Sequence, residues 1–135
     1  MHLPDIWGGH RYVVLTKPNN DGKVVIVNFT SVRDWKDCPV IFRPKDNKSL
    51  FGHLTTISCS DATIVSVASL VNEAQDNPKD YLFCSPRNTQ KAIIGTLESQ
   101  LTPMEILDEL GTQYPTEYAK YVAAKNISEN IPQTP

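Results

Sequence analysis

No stretch of this chain approaches the ~18 consecutive apolar residues that a membrane-spanning helix requires. Its first residues, Met1-His2-Leu3-Pro4-Asp5, hold neither the basic nor the apolar segment of a secretory signal, so no leader is expected. Cysteine is scarce. Cys38, Cys59 and Cys84 form an odd set without close spacing, which fits a reducing cytoplasm better than a disulfide framework. Together with His53 they lack the paired spacing of a structural zinc site, and neither a metal nor another cofactor is expected. There is no P-loop, no GxGxxG and no GxSxG, so the common signatures of nucleotide binding and of α/β-hydrolase chemistry are missing. Internal repeats and long low-complexity tracts are also missing.

What is there suits one domain. The chain has 135 residues, enough for a single core at 40% apolar content. Its net charge of −2 argues against a protein dedicated to nucleic acid, but the charges are unevenly placed. Residues 1–60 hold eight Lys and Arg against five Asp and Glu; residues 61–135 hold five against ten. The basic half is also the β-rich half. Such a split permits a phosphate-facing surface, and equally a solvated rim of loop lysines.

Residues 12–15 and 24–29 read as two strands, and Pro18-Asn19-Asn20-Asp21-Gly22 between them has hairpin turn chemistry. The second run does not alternate, so it is expected to be buried on both faces. Further strands are expected at 39–43, 54–58 and 62–68, the last two hinged at Cys59-Ser60-Asp61. Short strands without interleaved helices point to a small, partly open antiparallel β-barrel. The period then changes. A helical turn is expected at 69–74 and an amphipathic helix at 86–99, with Ser85 as its cap and Pro86 at its first position. Thr102-Pro103-Met104-Glu105 has the pattern of a capping box for a short helix ending at Gly111; a weaker helix is expected at 116–125 and a flexible tail beyond. The predicted fold is mainly β with C-terminal α: a barrel domain over 1–100, then a helical extension and tail over 101–135.

The polar residues that punctuate the hairpin are the candidate site. Arg11 opens the first strand, Thr30-Ser31 closes the second, and an antiparallel hairpin puts those ends side by side. Arg11 offers a planar, permanently charged fork for phosphate oxygens, and the two hydroxyls are hydrogen-bond donors. A base must come from elsewhere. His10 is a candidate if Gly8-Gly9 twists the strand, and His53 is a second, carried on a loop. Lys17, Lys23, Arg33, Lys36 and His53 are candidate contacts to the phosphates of a nucleic-acid strand, with Trp35 as a stacking platform. Each also has a plain structural alternative, as an ion pair, a strand terminator or a packing residue.

Residues 9–16, GHRYVVLT, resemble the Gly–(His)–Arg–Pro–apolar–Val–Leu–Ser strand of the MazF/PemK toxins of bacterial toxin–antitoxin systems. Residues 24–31, VVIVNFTS, are similar to that family's next strand, which ends in proline, an apolar residue and Thr-Ser or Thr-Thr. The likeness extends over about residues 5–100. Tyr12 and Asn28 stand where the family has prolines, and little remains of its opening strand and acidic loop. The resemblance implies an SH3-like barrel, usually a homodimer, that cuts single-stranded RNA without a metal in the cytoplasm and is restrained by an antitoxin protein. The family's arginine falls on Arg11, its threonine on Thr30, and Ser31 is the neighbouring hydroxyl. Two alternatives remain open at this point: a non-catalytic barrel that binds a protein partner, and a CcdB-like toxin directed at a protein target.

Overall fold

A computed structural model describes residues 11–32, 40–46, 51–76 and 84–123. It is a mixed α/β fold: a three-stranded antiparallel open sheet in the order β1-β2-β3, packed against helices. The strands are β1 (Tyr12–Val14), β2 (Lys23–Ser31) and β3 (Thr55–Ser66). The helices are α1 (Val67–Asp76), α2 (Pro86–Glu98), α3 (Met104–Gln113) and α4 (Pro115–Tyr118), the last running on as a π-helical segment over Ala119–Ala123.

The hairpin forms as its turn chemistry dictates. Asn19 Oδ1 accepts from the N–H groups of Asp21 and Lys23, at 2.9 and 3.0 Å, and Gly22 takes the positive φ of 69° that closes the turn. β2 is buried on both faces. Val25, Val27 and Phe29 enter the main core, while Val24, Ile26 and Asn28 are buried on the opposite face.

Of the five expected strands, the described residues form three. The expected strand at 39–43 contributes only the bridge Phe42–Thr55. The strands expected at 54–58 and 62–68 are one strand, β3, broken in register where the hinge was expected. Ile26 pairs with Thr63 and Asn28 with Ser58, so residues 59–62 stand opposite the single Val27. That bulge turns Cys59 and Ala62 into the core and leaves Ser60 and Asp61 exposed. β3 stops at Ser66 because the Ser66 Oγ accepts from Ser69 N–H at 3.2 Å and caps α1, which is a full helix and not a single turn.

The expected helix at 86–99 is α2. Ser85 caps it by accepting from Asn88 N–H, and Ala92, Ile93 and Leu97 bury its inner stripe. Two expectations about α3 fail. Thr102 does not cap it; its hydroxyl donates to the Thr96 carbonyl at 2.7 Å, closing the end of α2 instead. Gly111 does not stop it, because the Tyr118 ring lies directly over that glycine and the helix continues beneath it to Gln113. Ile106, Leu107, Leu110 and Val122 belong to the same buried cluster as Val13, Val27 and Phe29. The C-terminal helices therefore complete the core of the sheet. The tail expected beyond residue 125 lies outside the described residues, and among those described no helix is long and apolar enough to cross a membrane.

Candidate functional site

The end of the sheet where β2 finishes gathers the chemistry. Ser31 pairs with Thr55 across β2–β3, and Thr55 in turn bridges Phe42. The chain reaches Thr55 through Phe51, Gly52, His53 and Leu54. Phe51 is fully buried against Phe29 (5.2 Å between centroids, edge-on) and Phe42 (4.9 Å, stacked). This aromatic anchor fixes a loop whose next two residues are exposed. The Thr55 hydroxyl donates to the His53 carbonyl at 3.0 Å and ties the loop a second time. As a result the His53 Nε2 lies 2.7 Å from the Ser31 Oγ, in a hydrogen bond at the protein surface.

Arg11 occupies the neighbouring corner. Phe29 N–H donates to its carbonyl at 2.8 Å, so Arg11 stands across from Phe29, two residues short of Ser31. Strand alternation sends Arg11, Phe29 and Ser31 to one face. Thr30 goes to the other, with Asn28 and Tyr12. The hairpin thus brings the predicted ends together but separates the two hydroxyls. Ser31 shares a face with Arg11; Thr30 does not.

The other predicted contacts are dispersed. Lys23 and Ser31 are the two ends of the nine-residue β2, roughly 26 Å apart at about 3.3 Å per residue. Lys17 lies at that far end as well, its backbone held by both atoms of the Gln113 amide. His10, Arg33, Trp35 and Lys36 lie outside the described residues. Besides Arg11, the cations that stand at the Ser31–His53 end are ones not named among the expected RNA contacts. Arg43 follows the bridging Phe42, and Lys91 of α2 donates from its Nζ to the Ile41 carbonyl while lying 4.7 Å from the centre of the Phe42 ring. A register argument from 54–58 to 39–43 could have found Arg43. No local signal marks Lys91.

On the opposite face a second polar group forms. Tyr12 stands directly across from Asn28, and Asn28 from Ser58, whose hydroxyl donates to Asp61 on the bulge. Burial, and then the Asp61 charge, push the Tyr12 phenol above its ordinary range. Asn28 is 4% exposed, and its Oδ1 has no hydrogen-bond partner. Among the described residues no group of three or more His, Cys, Asp or Glu is placed to hold a metal ion. Comparison with protein-family models finds no matching family, and comparisons with curated proteins and with solved structures find no match.

Proposed function

We propose that this protein binds single-stranded RNA at the Ser31–His53 end of its sheet and cleaves it in the cytoplasm by internal transesterification. The observation that carries this reading is the 2.7 Å hydrogen bond between His53 Nε2 and Ser31 Oγ beside the Arg11 corner. In the proposed reaction the ribose 2′-hydroxyl takes the place of Ser31 at His53 Nε2 and gives up its proton there as its oxygen bonds to phosphorus. The freed Ser31 hydroxyl donates to a non-bridging phosphate oxygen, and Arg11 faces the charge that builds on the phosphorane. The P–O5′ bond breaks, the leaving oxygen takes a proton from water, and a 2′,3′-cyclic phosphate remains. No step needs a metal. The resemblance of residues 9–31 to the MazF/PemK hairpin supports the same class. The proposal includes that family's small-barrel architecture, toward which the β3 bulge would curl the sheet.

The test is incubation of the purified chain with mixed-sequence single-stranded RNA in EDTA. Expected products end in a cyclic phosphate, and His53→Ala and Arg11→Ala each lower the rate by about 10²-fold or more. Absence of cleavage by a folded protein would sink the reading.

A second reading rests on a separate observation. Leu101 and Met104, at the α2–α3 connection, are 55% and 68% exposed, an apolar pair suited to an antitoxin-like partner or a second copy of the chain. Leu101→Glu/Met104→Glu should then abolish any dimer seen by light scattering and leave the melting temperature unchanged.

A further inference from the structure

Two segments that are far apart in sequence meet beside the Ser31–His53 pair. The Lys91 Nζ is held twice, by the Ile41 carbonyl and over the Phe42 ring, and this fixes one face of α2 against residues 41 and 42. Arg87, exposed, stands one helical turn earlier on that face, as residues i and i+4 do. Across from it the chain makes a tight turn: Asp46 Oδ2 accepts from Arg43 N–H at 2.7 Å, and Asp46 N–H donates to the Arg43 carbonyl at 2.9 Å. Arg43 and Lys45 are exposed on that turn. Asp46 is the one carboxylate among them. The Arg43 N–H above all, then the charges of Lys91, Lys45 and Arg87, hold it below the usual carboxylate range.

The charges of three cations, Lys45, Arg87 and Lys91, thus act on one carboxylate, and the exposed Arg43 lies on the same turn, on a protein whose net charge is −2. Like charges gathered this way repel one another unless an anion joins them, and their summed field attracts one. The position is as informative as the charge. Phe42 is separated from Ser31 by the single strand position of Thr55, so its backbone lies roughly 10 Å from Ser31 at about 4.8 Å per strand. A phosphate held at Ser31–His53 would have its neighbours along the same strand over this cluster.

We infer that Arg43, Lys45, Arg87 and Lys91 form a binding site for the backbone phosphates of single-stranded RNA that flank the phosphate held at Ser31–His53. This rests on the RNA-cleaving reading and names how that site holds its strand. Lys91, with its ammonium fixed, supplies a preorganised charge; Arg43, Lys45 and Arg87 supply the adaptable contacts around it.

The test uses the full chain and a fluorescent 2′-O-methyl single-stranded oligonucleotide, which lacks the attacking hydroxyl and reports binding alone. Lys45→Gln/Arg87→Gln should weaken binding roughly tenfold at low salt and reduce the slope of log K against log salt by about 0.7 for each lost phosphate contact. Lys45→Arg/Arg87→Lys should restore both. Both glutamine positions are exposed, so the melting temperature should hold. Unchanged affinity and slope in the glutamine variant would overturn the inference and leave cleavage at Ser31–His53 standing. Binding that follows the cluster while unmodified RNA stays intact would overturn the cleavage reading and keep the cluster. Failure of the unaltered chain to bind the oligonucleotide would overturn both.

Discussion

Ser31 closes β2 and His53 lies on the loop before β3, 22 residues later, yet the Oγ of one and the Nε2 of the other are 2.7 Å apart. The imidazole is exposed and is positioned from behind, by Phe51 two residues earlier. Phe51→Ala removes a ring packed on Phe29 and Phe42 and should cost about 3–5 kcal/mol of stability. Phe51→Leu keeps most of the volume and gives the sharper test. If Phe51 positions His53, this variant stays folded and loses kcat more than it raises KM, whereas equal rates in both proteins would show that the anchor is only structural.

Gly111 has a steric reason to be glycine. A methyl group there would lie 2.8 Å from Tyr118 Cδ2, so Gly111→Ala must push the ring and the end of α4 away. The expected loss is about 1–3 kcal/mol, read as a lowered melting temperature. Gly52, whose added Cβ would meet nothing within 4 Å, is the control; Gly52→Ala should leave the melt within about 0.5 kcal/mol.

Tyr114 joins the end of α3 to the hairpin by donating its hydroxyl to the Leu15 carbonyl. Burial, then the Glu117 charge, raise its pKa, and burial does the same for Tyr12. The folded state thus holds both phenolic protons more tightly than the unfolded chain, whose tyrosines titrate near 10.0. The stability this contributes is complete below that pH and is lost as the pH rises through the folded-state values. Chemical denaturation repeated at increasing alkaline pH should show the loss. Tyr114→Phe should be less stable at neutral pH by about 1 kcal/mol and should lose less on the alkaline side.

Asn28 is the misfit of β2, an amide in a run of Val, Ile and Phe with its Oδ1 buried and unpaired. Such an atom costs about 1–3 kcal/mol. Asn28→Val supplies a β-branched side chain and removes the unpaired oxygen, so it should raise the denaturation midpoint or leave it unchanged. A drop of more than about 1 kcal/mol would mean that the amide makes a stabilising contact that its register with Tyr12 and Ser58 does not reveal.

Features set by short-range chemistry were legible in the residues themselves. Asn19 and Gly22 dictate the hairpin turn, the unalternating VVIV run dictates a strand buried twice, and Ser85-Pro86 dictates where α2 begins. Each depends on backbone geometry within a few residues or on a side-chain period, and both are written locally. Cys59-Ser60-Asp61 was visible as a break in the β pattern. Whether the break made two strands or one bulged strand depended on pairing with Ile26 and Asn28, more than 30 residues away. Gly111 and Thr102 misled for the same reason. Their local propensities favour a stop and a cap, but the Tyr118 ring and the Thr96 carbonyl, brought close by packing, offered better partners.

The site divides in the same way. That Arg11 and the end of β2 lie at one end of a hairpin follows from the order of the residues alone, because antiparallel pairing allows nothing else. It took long-range packing to set Ser31, and not Thr30, on one face with Arg11, to bring His53 beside it, and to carry Arg87 and Lys91 from the acidic half of the chain to Arg43 and Lys45. Strand pairing is fixed by hydrogen bonds a few residues apart. The meeting of a loop, a turn and a helix is fixed by the burial of Phe29, Phe42 and Phe51 together, a cooperative event that no single stretch of sequence encodes.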